Sequence, residues 1–244
     1  MKYLAVLLPL LFAFTTMQQP PTIHLAGDST MADKVFTPNN PEKGWGQVLP
    51  LYVTNGLQIK NYAINGRSSK SFRAEGHWDK LLNNLKPNDY VIIQFGHNDE
   101  SISKGEERYS TPEDYKANLK RFVNEVREKQ ATPILATSIV RRKFENGKLV
   151  DTHGVYPNKV REIATELNVP LLDIEERTRE MVSIYGEERS KQLYLHFLPR
   201  EYERFPEGKI DDTHLSPVGA FAVCDLAVAE LKKVVPELIP YFKD

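Results

Sequence analysis

The sequence predicts an α/β fold: one parallel sheet of five strands with helices over both faces. Three observations lead there. Strand-like and helix-like stretches alternate along the chain from residue 22 onward. The run at 89–95, Asp-Tyr-Val-Ile-Ile-Gln-Phe, is almost continuously apolar, as a strand covered on both faces must be. No repeat, low-complexity tract or linker interrupts the pattern, so residues 20–244 read as one domain. With 41% apolar and 27% charged residues, the chain can build both a packed core and a solvated surface. A net charge of −1 and no long basic block argue against a nucleic-acid partner, since phosphate binding needs clustered Lys and Arg.

Residues 1–19 stand apart from this pattern. Lys2 supplies a positive start, and an apolar run follows at 4–14. That run is too short to cross a bilayer, which takes about 20 residues. It suits a secretory signal peptide cleaved between Ala13 and Gln19, so the protein is expected to be secreted or periplasmic. No cysteine follows the run, so a lipid anchor is not indicated.

The first strand is expected at 22–26 and ends in Gly27-Asp28-Ser29; a helix-like segment follows at 44–52. A second strand falls at 57–63 and a third at 89–95. Thr111-Pro112-Glu113-Asp114 then opens a helix with a capping hydroxyl, a first-turn proline and early acids. Its inner face carries Tyr115, Leu119, Phe122, Val123 and Val126. A fourth strand is expected at 132–139, a helix at 156–167 and a fifth strand at 169–174. Ser216-Pro217 caps a last helix reaching about residue 235, within which Cys224, the sole cysteine, reads as a small buried hydrophobe. Two stretches resist the alternation. Residues 141–153 hold the turn signal Asn146-Gly147. Residues 193–209 are rich in aromatics, proline and charge, as a long loop shaping a cleft would be.

In a parallel sheet, the segments leaving the strands converge on the carboxyl edge, where such folds bind ligands. These segments carry Gly27-Asp28-Ser29, Asn65-Gly66-Arg67-Ser68, Gly96-His97-Asn98-Asp99 and, beyond the fifth strand, Asp211-Asp212-Thr213-His214. Together they hold what acyl transfer requires. A serine is a poor nucleophile until a base takes its proton, and His214 is the candidate base for Ser29. Asp211, three residues earlier, can fold back to orient the imidazole; Asp212 is the competing candidate. An oxyanion needs donors about 3 Å away, and the N–H groups of Ser29 and Gly66 with the Asn98 side-chain amide form the natural set. Asp28 is read as an acceptor for loop N–H groups.

These blocks, in order, resemble those of the SGNH (GDSL-type) hydrolases over nearly the whole chain after the leader. More narrowly, Leu25-Ala26-Gly27-Asp28-Ser29-Thr30-Met31-Ala32, Gly44-Trp45-Gly46, Asn65-Gly66-Arg67-Ser68 and Asp211-Asp212-Thr213-His214-Leu215-Ser216-Pro217 are similar to rhamnogalacturonan acetylesterases. The resemblance implies a three-layer α/β/α, flavodoxin-like sheet and a cofactor-free serine esterase without a metal. It further implies removal of O-acetyl groups from pectic polysaccharide, with the acetylated glycan as partner and a monomer as the working unit.

Arg67, Lys70 and Arg73 follow Gly66 closely and are candidates to attract galacturonate carboxylates, which arginine grips bidentately. His97 is a candidate supporting group near the cleft, whereas His24 reads as a core residue and His77, His153 and His196 as loop or surface histidines, with His153 and His196 also candidates for the cleft. Trp45 and Trp78 fit either the core or a sugar platform. Competing readings are an acetylesterase on another glycan such as xylan, a lipid esterase or thioesterase of the same fold, and a carbohydrate-binding module. A metal-dependent phosphoesterase would also use strand-end carboxylates and imidazoles. The first strand, however, lacks the Asp-x-His pair such enzymes carry.

Overall fold

The computed structural model describes residues 19–37 and 39–243. The leader expected over residues 1–19 therefore lies outside the described residues, apart from its last position. Strand β1 (Thr22–Gly27) lies in the sheet interior, next to one edge. Helix α1 (Trp45–Val48) and a 3-10 turn (Leu49–Tyr52) lead to β2 (Gln58–Asn61), and the short helices α2 (Ser69–Ala74) and α3 (His77–Leu82) lead to β3 (Tyr90–Gln94). Helix α4 (Pro112–Glu128) precedes β4 (Thr132–Ala136). A small hairpin of β5 (Phe144–Glu145) and β6 (Lys148–Leu149) turns at Asn146 and Gly147, both at positive φ. Helix α5 (Tyr156–Glu166), β7 (Leu171–Leu172) and helix α6 (Ile174–Arg189) follow. Strands β8 (Tyr194–Phe197) and β9 (Lys209–Leu215) pair antiparallel beside the main sheet, and α7 (Pro217–Val234) packs back beneath it.

The five-stranded sheet is parallel throughout, in the order β2-β1-β3-β4-β7. Numbered by sheet strand alone this is 2-1-3-4-5, the flavodoxin-like order, whose switch point falls between β1 and β3. Alternating side chains feed two separate cores. Ile23, Leu25, Ile92 and Ile134 face Trp45 and the α6–α7 layer, with Val182, Val223, Cys224 and Leu231. Ala26, Val91, Ile93 and Leu135 face the α2–α5 layer, with Phe72, Trp78, Phe122 and Ile163. Burial on both sides explains why β3 reads as an unbroken apolar run.

The expected caps form. Thr111 accepts the Asp114 N–H at the head of α4, and Ser216 accepts the Gly219 N–H at the head of α7. Several boundaries differ from the sequence expectation. The segment at 44–52 is one helical turn followed by a 3-10 turn containing Pro50. The expected loop at 193–209 begins with β8, whose pairing partner lies across an intervening loop and so leaves no local period to read. Both tryptophans belong to the cores. Trp45 Nε1 donates to Gln94 Oε1 at 2.8 Å, and Trp78 Nε1 donates to Glu125. No helix among the described residues is long and apolar enough to cross a membrane.

Close approach at Gly44 seats the loop that follows β1. A Cβ there would lie 2.2 Å from the Ala32 carbonyl oxygen and 2.6 Å from the Met31 carbonyl carbon. Both contacts are backbone, so they cannot swing aside. Gly44→Ala is expected to lower stability by about 2–3 kcal/mol, the cost of overpacking a filled site. Thermal unfolding checks this; an unchanged midpoint would mean the loop yields freely.

Candidate active site

Ser29 sits in the loop leaving β1, and Asp28 sets its position. Asp28 Oδ1 accepts the Thr30 N–H and hydroxyl, both at 2.9 Å, while its carbonyl accepts the N–H groups of Met31 and Ala32. His97 Nδ1 donates to Asp28 Oδ2 at 3.2 Å. Burial opposes the Asp28 charge, but the donors from His97 and Thr30 hold its carboxyl well below the usual range. Burial also drives the His97 ring down to about 4, against the pull of Asp28, so the imidazole is neutral near neutral pH. Behind it, His153 packs edge-on against His97, donates from Nε2 to the Ile139 carbonyl at 2.8 Å and meets Glu100 through Nδ1 at 2.7 Å. His153 is thus a loop histidine, as expected, but a buried one that packs against His97.

The other two groups arrive on β9. Tyr194 pairs with Leu215 and Leu195 with Asp211, so the three residues between Asp211 and Leu215 bulge out of the ladder. The bulge turns residues three apart toward one another. Asp211 Oδ1 accepts the Thr213 and His214 N–H groups at 2.9 and 3.0 Å, and His214 Nδ1 donates to Asp211 Oδ2 at 2.9 Å. Burial works against the Asp211 charge, yet the His214 ring and these two N–H groups outweigh it and keep the carboxyl far below its usual range. Asp212 turns the other way, to Arg142 at 2.8 Å and His196 at 2.7 Å.

The Ser29 hydroxyl donates to His214 Nε2 at 2.9 Å, completing a row of hydroxyl, imidazole and carboxylate. With Nδ1–H committed to Asp211, Nε2 is the acceptor, as a general base for a serine must be. Ser29 itself is only 8% exposed.

Beside Ser29 the structure places Gly66 and Asn98, both lining the same cleft. Among the described residues no acceptor meets the N–H of Ser29 or of Gly66. Gly66 has a φ of 74°, a backbone region that costs other residues about 1–2 kcal/mol. Asn98 Nδ2 donates to the Arg67 carbonyl at 3.1 Å, which orients the amide and leaves its second N–H for a ligand. Asp99 ties the two donor loops together by accepting the Ser69 N–H at 3.0 Å, the Ser69 hydroxyl and the Ser110 hydroxyl at 3.2 Å. Burial raises this carboxyl to about 7 in spite of those donors.

The cleft has a volume of about 650 Å³. Its walls include Glu42 and Arg108, and also Arg204, Phe205 and Lys209 from the stretch at 193–209 expected to shape a cleft. The three cations expected to serve there do not line it. Arg67 pairs with Glu75, Lys70 donates to the Glu106 carbonyl, and Arg73 forms a two-pronged pair with Glu125 on α4. Helix α2 carries Lys70 and Arg73 away from the sheet edge. Arg204, Phe205 and Lys209 could have been sought in the aromatic, charged stretch at 193–209, whereas Arg108 carries no sequence signal. Among the described residues, no group of three His, Cys, Asp or Glu side chains has the geometry to hold a metal ion.

A twofold-covered parallel sheet with this cleft at its switch point defines a three-layer α/β/α ester hydrolase. The chain belongs to the GDSL-like lipase/acylhydrolase family, whose model matches residues 25–220. It is similar to the rhamnogalacturonan acetylesterase RhgT of Bacillus subtilis (strain 168), at 38% identity over 89% of this chain and 92% of that protein. It is also similar to the probable rhamnogalacturonan acetylesterase YesY of the same organism, at 35% identity over 87% of this chain and 93% of that protein. Among solved structures, protein YxiM of Bacillus subtilis matches with a TM-score of 0.74 and 28% identity, covering 88% of this chain and 56% of that one. The acetylxylan esterase Axe2 of Geobacillus stearothermophilus shares the fold, with a TM-score of 0.63 at 18% identity over 88% of this chain and 96% of that one.

Proposed function

We propose that the protein is an exported serine carbohydrate esterase that removes O-acetyl groups from a pectic polysaccharide, rhamnogalacturonan. The working domain would be residues 20–244, behind a cleaved leader. The observation that carries the reaction is the row from Ser29 Oγ through His214 to Asp211, open to a cleft beside unengaged N–H donors. The likeness to RhgT over most of both chains supports the substrate.

In this reading Ser29 Oγ attacks the acetyl carbonyl carbon while its proton passes to His214 Nε2. The N–H groups of Ser29 and Gly66 and the Asn98 amide take up the charge on the carbonyl oxygen. Collapse breaks the bond to the sugar oxygen, which receives the proton from His214, and leaves an acetyl group on Ser29. Water, deprotonated by His214, then attacks that acetyl. Acetate departs, and the proton returns to Ser29 Oγ. Asp211 keeps Nε2 as the basic nitrogen throughout and stabilises the imidazolium that forms in each half-reaction.

Acetate release across acetylated pectins, xylans and mannans tests the substrate. The highest kcat/KM should fall on acetylated rhamnogalacturonan; a clear preference for xylan would replace this reading with that of an acetylxylan esterase. Asn98→Ala tests the donor set. Loss of one oxyanion donor should lower kcat about 10²–10³-fold with little change in KM. A variant with parent kcat would remove Asn98 from that set.

A further inference from the structure

We infer that Arg204, with Lys209 beside it, reads a carboxylate on the glycan and so selects acidic substrates over neutral ones. This rests on the acetylesterase reading above and names what recognises the sugar. The charges along the cleft single out one wall. Of its acids, Glu42 is held by Lys34 at 2.8 Å, and Asp211 is turned onto His214 with the Lys209 ammonium 3.6 Å away. Of its cations, Arg108 lies over Gly66 on the side of the donor loops, 3.5 Å from Glu107. Arg204 takes no carboxylate partner among the described residues, whereas Arg67, Arg73, Arg141, Arg142 and Arg161 are all ion-paired.

Arg204 stands exposed in a tight turn whose two ends are paired. Tyr202 and Phe205 bridge across a tight turn, with the Phe205 N–H on the Tyr202 carbonyl, and the Asn39 side chain donates to the neighbouring Glu203. The Arg204 guanidinium and the Lys209 ammonium each stand 5.8 Å from the centre of the Phe205 ring. Two positive groups and an apolar ring therefore share one wall of the cleft that holds Ser29. A uronic acid residue offers the matching pair of features, C–H faces for the ring and a planar carboxylate for the guanidinium fork. A neutral pentose or hexose offers only the first.

Lys209 lies 3.6 Å from Asp211, so the test belongs on Arg204. An acetylated galacturonate-containing oligosaccharide is compared with the same material after reduction of its carboxyl groups to primary alcohols. The parent enzyme should favour the acidic form by about tenfold in kcat/KM, the scale of a hydrogen bond to a charged group. Arg204→Gln should bring that ratio close to one, chiefly through KM on the acidic form, and R204K should keep part of it. Circular dichroism confirms that each variant is folded. The assignment falls if R204Q keeps the parent ratio, or if the parent treats both forms alike while deacetylating each. Should the parent release acetate from xylan and from neither pectic substrate, the substrate reading falls as well.

Discussion

Ser29→Ala is expected to lower the rate of deacetylation by about 10⁴–10⁶-fold while leaving the protein folded. The size follows from what the hydroxyl supplies. Without it no covalent acetyl intermediate forms, and His214 retains only the option of activating a water that no group positions. A 10⁴-fold loss corresponds to about 5.5 kcal/mol of transition-state stabilisation. Stability should barely change, because removing the hydroxyl takes away one hydrogen bond, to a half-buried imidazole, and opens no apolar cavity. Acetate release and thermal unfolding, measured on the same preparation, separate the two effects. A Ser29→Ala enzyme within tenfold of the parent would end the covalent mechanism proposed here.

Asp211→Asn should cost about 10⁴-fold in kcat, for a different reason. The substituted amide keeps an oxygen for the Thr213 and His214 N–H groups, so the bulge should persist. Its nitrogen, facing His214 Nδ1, is a donor and demands an acceptor there. The ring must then carry its proton on Nε2, which can no longer accept from Ser29 Oγ. Asp211 in the parent stays ionised well into acid, because its carboxyl is held far below the usual range. A carboxylate depressed in this way loses its contribution only as pH falls through that low value. The acid limb of the parent's pH–rate profile should therefore not report this carboxylate. Parent-like kcat in Asp211→Asn would assign the orienting role elsewhere.

Much of the site was legible because a parallel sheet turns sequence order into spatial convergence. Ser29, Gly66 and Asn98 each follow a strand of that sheet, and all reach one edge whatever happens between. Asp211 and His214 were legible as a pair by spacing, but not the reason they meet. That reason is a bulge in a hairpin whose first strand, Tyr194–Phe197, is separated from its partner by a loop and carries no period of its own. The charged walls were less legible for a related cause. Closeness to Gly66 in sequence favoured Arg67, Lys70 and Arg73, yet a helix starts at Ser69 and Arg73 ends on Glu125, a partner 52 residues away. Of the cations that line the cleft, Arg108 comes from a loop that no local pattern announces, while Arg204 and Lys209 belong to the stretch at 193–209 whose composition points to a cleft.

The hydroxyl of Ser29 and the ring of His214 are 185 positions apart in the chain. During synthesis the serine leaves the ribosome early, in a chain that has as yet no imidazole to take its proton. The row is complete only when the β8–β9 ribbon lies against the sheet. An incomplete copy of the chain, ending before residue 214, holds the hydroxyl without the ring that accepts from it.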